Sequence, residues 1–114
     1  MIKIMHKETG EVLYEIDGRE FHRRRMSFSE TYSLDLRGVN LSGARFSEFD
    51  LRSVDFRDAD LSEAVFYNAD LRSADLRGAN LRGASLWKAD LVGTKFNESQ
   101  MPDIIKALDI KVMP

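Results

Sequence analysis

The chain has 114 residues, with 17 Lys and Arg against 19 Asp and Glu, and a formal net charge of −2 at pH 7. This length predicts one domain, and the near-neutral balance argues against a charged tail of the kind that binds nucleic acid. The chain contains no cysteine, which excludes disulfide bonds, thiolate metal sites and thiol catalysis.

Residues 1–33 are predicted to form a β-hairpin and a connecting segment that together cap the rest of the fold. Strand-like sequences near residues 2–5 and 11–16 flank a turn at Gly10. Two strands alone are unstable in water, so we expect the hairpin to pack on the region that follows. The N-terminus lacks the apolar run of a signal peptide, and the chain has no apolar stretch of about eighteen residues. We therefore expect a cytoplasmic protein without a membrane segment.

Residues 34–98 repeat every five residues, thirteen times without insertion or deletion. The third place of each unit is always Leu or Phe, and the first place is Ala in eight units. The second, fourth and fifth places are mostly polar. A period of five matches neither a helix nor a plain strand. It predicts a solenoid in which the first and third residues point inward and the stacked coils bury a shared core.

Units such as ADLRS, ADLRG and ANLRG, at residues 69–83, resemble the A(D/N)LXX signature of the pentapeptide-repeat proteins. The resemblance extends over 65 of the 114 residues, although ARFSE, AVFYN and TKFNE lack Asp or Asn at the second place. It implies an all-β fold, a right-handed quadrilateral β-helix with four units making the four sides of one coil. The array would then contain about three coils. Larger first-place residues (Leu34, Val39, Phe49 and Val54) cluster early, where we expect the core to widen toward the N-terminal cap.

Exceptions within the repeat give independent support for four units per coil. Up to residue 90 the second place is Asp or Asn except at Arg45, Val65 and Ser85, which are spaced by twenty residues. The aromatic residues Tyr67 and Trp87 have the same spacing. One face of the predicted helix, here called the aromatic face, therefore collects the following second- and fourth-place residues: Arg45, Ser47, Val65, Tyr67, Ser85 and Trp87.

The remaining faces carry columns of Asp or Asn, often with Arg two residues later in the chain. These columns predict ladders of opposite charge on a solvated wall, rather than paired catalytic carboxylates or a calcium site. We expect Arg37, Arg57 and Arg77 to stack beside Asp35, Asp55 and Asp75, and Arg52 and Arg72 to lie near Asp50 and Asp70.

Residues 99–114 are predicted to form a C-terminal cap, because a bare solenoid end would expose its core and its unpaired backbone. A short helix beginning near Pro102 would place Ile104, Ile105 and Leu108 over the last coil. The glycines at fifth places are expected at the corners, where the chain bends.

No motif in the sequence indicates catalysis, a cofactor or a metal. The two histidines, His6 and His22, have no neighbours at metal-ligand spacing, and no serine lies in a GxSxG context. Phosphate-binding glycine motifs are also absent from the sequence. The basic run at residues 23–25 is surrounded by acidic residues, so a direct nucleic-acid contact is not expected. We therefore predict no catalytic, cofactor-binding or metal-binding residues, no small-molecule substrate and no membrane partner.

The sequence favours a non-catalytic scaffold or protein–protein interaction module, whose partner is an unknown protein or a second copy of the chain. The aromatic face is the candidate contact surface, since Tyr, Trp and Arg dominate interface energies. In the alternative, residues 17–33 or the hairpin cover this face. Removal of residues 1–33 would distinguish the two, because self-coverage predicts a change in Trp87 fluorescence.

The resemblance also implies a second candidate function, in which the chain mimics DNA and binds DNA gyrase or topoisomerase IV, as in quinolone resistance. Duplex DNA carries one negative charge per ~1.7 Å of its axis. Residues 34–98 contain nine Lys and Arg against eleven Asp and Glu, with Arg interleaved among the Asp columns. The short array and its near-neutral charge disfavour mimicry, and an enzyme is disfavoured further.

Overall fold

In a computed structural model of the chain, the described residues are 2–6, 12–16 and 34–109. The predicted connecting segment at residues 17–33 and the end of the C-terminal cap at residues 110–114 lie outside them. The elements are strands β1 (Ile2–His6), β2 (Val12–Ile16) and β3 (Leu34–Asp35), a 3-10 helix (Glu98–Gln100) and helix α1 (Met101–Ala107).

The two N-terminal strands form an antiparallel pair, nearly at the positions that the sequence predicted. Strand β1 lies between β2 and β3, and it pairs antiparallel with both. On the β3 side, Met5 is opposite Asp35 and His6 is opposite Leu34. The pair therefore adds two strands to the first side of the repeat array, which gives it the packing partner that two isolated strands need.

Parallel β-bridges join residues twenty apart throughout the array, so four units make one coil. Successive coils are held by three kinds of backbone hydrogen bond. For example, Leu36 N–H donates to the Asp55 carbonyl (2.9 Å), Gly38 N–H to Arg57 (2.9 Å) and Asp60 N–H to Val39 (3.0 Å). The bridges define four columns: Asp35–Asp55–Asp75–Lys95, Asn40–Asp60–Asn80, Arg45–Val65–Ser85 and Asp50–Asp70–Asp90.

Each corner between two sides is a tight turn that closes on a hydrogen bond from the next unit's first N–H to the third-place carbonyl. The fifth-place residue has positive φ, as at Gly38 (66°) and Lys88 (59°). Glycine adopts this conformation freely, whereas another residue pays roughly 1–2 kcal/mol. The predicted glycine corners are present, but stacking also imposes positive φ on seven other residues: Glu48, Ser53, Asp58, Glu63, Asn68, Ser73 and Lys88.

The first- and third-place residues form one continuous core along the axis of the stack, as predicted. Phenylalanines fill its N-terminal half. Phe46 and Phe66 are stacked with ring centroids 5.2 Å apart, and Phe56 meets both edge-on at 6.0 and 6.1 Å. The large first-place residues Phe49 and Val54 are buried beside them. Leucine and alanine fill the C-terminal half, so large and small residues share a narrow interior without overfilling it.

The 3-10 helix and α1 close the C-terminal end of the stack. Buried Gln100 donates from Nε2 to the carbonyls of Leu76 (2.7 Å) and Ala79 (2.9 Å), while its Oε1 accepts from Asn97 N–H (2.6 Å). The Ala107 carbonyl accepts from Leu86 N–H at 2.8 Å, where the next coil's backbone would otherwise bond. The Gln100 side chain and the Ala107 carbonyl thus supply the hydrogen-bond partners that a further coil would provide.

Helix α1 buries a different set of residues from the one predicted. Ile104 and Ala107 belong to the core, and Leu108 packs against it. Ile105 is half-buried but does not pack against this core, so its assignment to the same face was wrong. Within the described part of the chain, no helix is long and apolar enough to cross a membrane.

Candidate interaction face

The aromatic face is assembled by two columns of outward side chains. Bridges Arg45–Val65 and Val65–Ser85 align the second-place residues of three successive coils. Backbone hydrogen bonds from Phe46 N–H to Val65 (2.7 Å) and from Phe66 N–H to Ser85 (2.8 Å) hold the coils in this register. The structure therefore brings all six predicted residues onto one face: Arg45, Ser47, Val65, Tyr67, Ser85 and Trp87.

Tyr67 and Trp87 form the apolar centre of this face. Their ring centroids lie 5.5 Å apart, with the ring planes tilted by 43°. Trp87 keeps 50% of its surface exposed, although Tyr67 is partly buried. Among the described residues, the other large hydrophobic side chains with high exposure are Val92 and Met101. The pair therefore presents an exposed aromatic surface beside Val65 on this face.

Lys88 belongs to the same site, although the sequence interpretation omitted it. Its Nζ lies 4.9 Å from the centroid of the Trp87 ring and 6.0 Å from that of Tyr67. Cations within about 6 Å of an aromatic face are attracted to it. The available signal was position, because Lys88 directly follows Trp87 at the corner of the unit.

The neighbouring charge pattern sets this face apart from the two faces that carry Asp and Arg together. On those faces each arginine donates at least two side-chain hydrogen bonds to the aspartate two residues earlier. Arg52 donates from Nε to Asp50 Oδ1 at 2.9 Å and from Nη2 to Oδ2 at 2.7 Å. Arg52 Nε also lies 3.6 Å from Asp70 Oδ2 in the next coil. The predicted ladders are confirmed at five pairs: Asp35–Arg37, Asp50–Arg52, Asp55–Arg57, Asp70–Arg72 and Asp75–Arg77.

These pairs stabilise the charged form of their carboxylates. The side-chain hydrogen bond from Arg52 lowers the pKa of Asp50, and that from Arg72 lowers the pKa of Asp70. One expectation was wrong, since Asp55 is only 1% exposed rather than part of a solvated wall. Arg57 covers it from the same unit and Arg37 approaches to 3.9 Å from the preceding coil. The carboxylates are thus engaged in structural contacts.

On the aromatic face the second place carries no carboxylate, so this pairing does not occur. Within residues 35–109, Arg45 and Lys88 form no ion pair. Glu48, the carboxylate of this face, already has a partner in the chain. Two cations at opposite ends of the face are therefore available to a ligand.

The pairing of β1 with β3 shows which face the N-terminal strands extend. Because Met5 is opposite Asp35, the strands continue the Asp35–Asp55–Asp75 column. Coverage of the aromatic face by residues 17–33 stays a prediction, since that segment lies outside the described residues, as do His22 and the basic run at 23–25. In the described part of the chain, no group of three or more His, Cys, Asp or Glu is arranged to hold a metal ion.

A family profile and several solved structures match the repeat array of this chain. The sequence profile described as Pentapeptide repeats matches residues 35–72 and 59–98, with 8 copies. Among solved structures, a pentapeptide repeat protein from Nostoc PCC 7120 is 34% identical, with 69% of this chain and 71% of that chain covered and a TM-score of 0.43. No functionally curated protein matches the chain.

Two further solved structures are longer than the matched region. Rfr23 from the cyanobacterium Cyanothece 51142 is 28% identical, with 56% of this chain and 40% of that chain covered and a TM-score of 0.42. A thylakoid-lumen protein of Arabidopsis thaliana is 35% identical, with 55% and 47% covered and a TM-score of 0.40. The chain thus spans less than half the length of these two proteins. Because the family profile covers residues 35–98 and the structure repeats every four units, the chain belongs to the pentapeptide-repeat family of right-handed β-helices.

Proposed function

We propose that the chain is a non-catalytic interaction module that binds another protein through the aromatic face. The observation that carries this proposal is the half-exposed indole of Trp87, packed on Tyr67 and flanked by Lys88. Large aromatic side chains with a polar rim are typical of the centres of protein interfaces. The β-helix supplies rigidity, because hydrogen bonds to the neighbouring coils hold each unit on this face.

The engagement of the acidic residues supports a non-catalytic role. The Asp columns resemble candidate acid–base groups only in composition, because each paired carboxylate already accepts two or more hydrogen bonds. Asp70, for instance, accepts from the backbone N–H and from the guanidinium of Arg72. A carboxylate bound in this way is held ionised and is poorly suited to exchange protons near neutral pH.

The same pairing weighs against DNA mimicry. Mimicry requires a regular row of exposed negative charge, because the duplex presents unpaired phosphates along its whole length. Here Arg52 lies between Asp50 and Asp70, and Arg72 lies between Asp70 and Asp90. The row is neutralised by its own arginines.

Affinity capture with point variants tests the proposal. The full chain would be used as bait in an extract of its native host, beside the variants Trp87→Ala and Val92→Ala. Val92 is a suitable control because it is 71% exposed but lies on the Asp50–Asp70–Asp90 face. We expect a partner that the Val92 variant retains and the Trp87 variant loses, with circular dichroism unchanged in both.

Two outcomes would contradict the proposal. If Trp87→Ala captures the same proteins as the unmodified chain, the aromatic face is not the contact surface. If the chain inhibits DNA gyrase supercoiling and Trp87→Ala inhibits equally, the gyrase-binding alternative replaces it. Sedimentation of the same variants identifies the case in which the partner is a second copy of the chain.

A further inference from the structure

We infer that the partner presents an acidic segment that carries an aromatic or aliphatic side chain. This inference rests on the proposed function, since it assigns the chemistry of whatever binds the aromatic face. It follows from three features of that face: its unpaired cations, the position of Lys88 over the aromatic rings, and the carboxylates on the two neighbouring faces.

The three units that form the aromatic face contain two cations, Arg45 and Lys88, and a single carboxylate, Glu48. The protein carries a formal net charge of −2, but Arg45 and Lys88 have no carboxylate partner among residues 35–109. Glu48 already has a partner within the chain. A carboxylate on a partner would supply the counter-charge that Asp supplies on the neighbouring walls.

Lys88 and Trp87 together form a site with two kinds of contact. The Lys88 ammonium lies 4.9 Å from the centre of the indole ring, and its N–H groups form no hydrogen bond among the described residues. The indole N–H of Trp87 likewise has no acceptor there. A carboxylate can therefore bind the Lys88 ammonium, while the next side chain of the same segment rests on the exposed ring.

Charges on the flanking faces favour a peptide over a nucleic acid, although phosphates would also meet cations and an aromatic ring here. Asp60, which forms no ion pair among the described residues, lies on one neighbouring face, and Asp90 lies on the other. Asp90 is exposed, and its nearest arginine, Arg72, is 3.8 Å away. A polynucleotide places charge at every phosphate and would run along these carboxylates. A peptide carries charge only at particular side chains, which can lie beside Arg45 and Lys88.

Titration of the ¹⁵N-labelled full chain with short probes tests the inference by NMR. The probes are acetyl-GDEFDEG-amide, its basic counterpart acetyl-GKRFKRG-amide, the non-aromatic acetyl-GDEGDEG-amide and octathymidylate. We expect the acidic aromatic peptide to shift the Trp87 indole and backbone signals with the highest affinity, by about fivefold or more over the basic peptide, and to weaken in ~0.5 M NaCl. Removing its Phe should also weaken binding.

A matched pair of lysine variants assigns the charge contact. Lys88→Gln should weaken the acidic aromatic peptide by about two- to fivefold, the scale of one exposed charge pair. Lys106→Gln removes an exposed lysine of α1 and should leave the affinity unchanged. Both lysines are exposed, so neither variant is expected to alter the fold.

Several results would overturn the inference. They are a preference for the basic peptide or for octathymidylate, equal affinity of Lys88→Gln, and no shift at the aromatic face up to about 10 mM peptide. The proposed function fails separately, through the capture experiment. A partner that depends on Trp87 but not on Lys88 or on salt would keep the interaction face and refute the acidic partner.

Discussion

Replacing Gln100 by methionine tests how the C-terminal end of the β-helix is closed. Gln100 is buried, and its side chain makes three hydrogen bonds to backbone groups. Methionine has a similar volume, so the change removes the polar contacts without leaving a large cavity. We expect a marked loss of stability with the fold retained.

The magnitude follows from the partners that each group would keep. The Leu76 carbonyl would still accept the turn hydrogen bond from Ala79 N–H at 3.1 Å. The Ala79 carbonyl belongs to a buried residue and would lose the hydrogen bond from Gln100, which costs about 1–3 kcal/mol. The Asn97 N–H belongs to an exposed residue and can turn to water. Together these changes predict a loss of about 2–4 kcal/mol.

Equilibrium urea denaturation, monitored by far-UV circular dichroism and by the fluorescence of Trp87, measures this loss. The exposed Ser99→Ala, in the same 3-10 helix, is the control and should change stability by less than about 0.5 kcal/mol. If Gln100→Met is as stable as the unmodified protein, the side chain is not needed to satisfy the open end, and the reasoning is refuted.

Three other changes test the core, the ion pairs and the corners. Leu71→Lys places an unpaired charge in the core and should lower the free energy of unfolding by about 4 kcal/mol or more, as measured by thermal unfolding. Val92→Lys, at an exposed site, is the control and should have little effect. A normal melting temperature for Leu71→Lys would disprove the inward assignment of this residue. Because Arg72 lowers the pKa of Asp70, the stability from this pair is complete above the unfolded pKa of about 3.9 and is lost as pH falls through the lower folded value. Arg72→Met should therefore reduce the loss of stability between about pH 5 and pH 2 in urea titrations, and an unchanged acid limb would show that the pair contributes nothing. Ser73→Gly should raise the free energy of unfolding by up to about 1 kcal/mol in the same assay, because Ser73 has a φ of 62°. Ser73→Ala should not raise it. Equal effects of the two substitutions would show that the corner is unstrained.

The sequence by itself determined the repeat fold, because a five-residue period leaves few ways to bury its apolar places. Every third place is Leu or Phe, and only a solenoid with inward first and third residues buries all of them. The twenty-residue spacing of Arg45, Val65 and Ser85 also supports a four-sided coil from the sequence alone. The aromatic face was therefore predictable as a set of stacked residues.

The tertiary structure alone decided the contacts that lie outside the repeat or between its coils. Gln100 closes the end of the stack by hydrogen bonding to Leu76 and Ala79. The sequence does not predict these contacts, because the partners lie more than twenty residues away and no periodicity links them to Gln100. The burial of Asp55 depends on arginines from two coils. The position of Lys88 over the Trp87 ring depends on the backbone of Lys88 itself, which is the corner residue and has positive φ. A repeat specifies which residues point inward or outward, but contacts across coils and at chain ends depend on three-dimensional neighbours that the period does not encode.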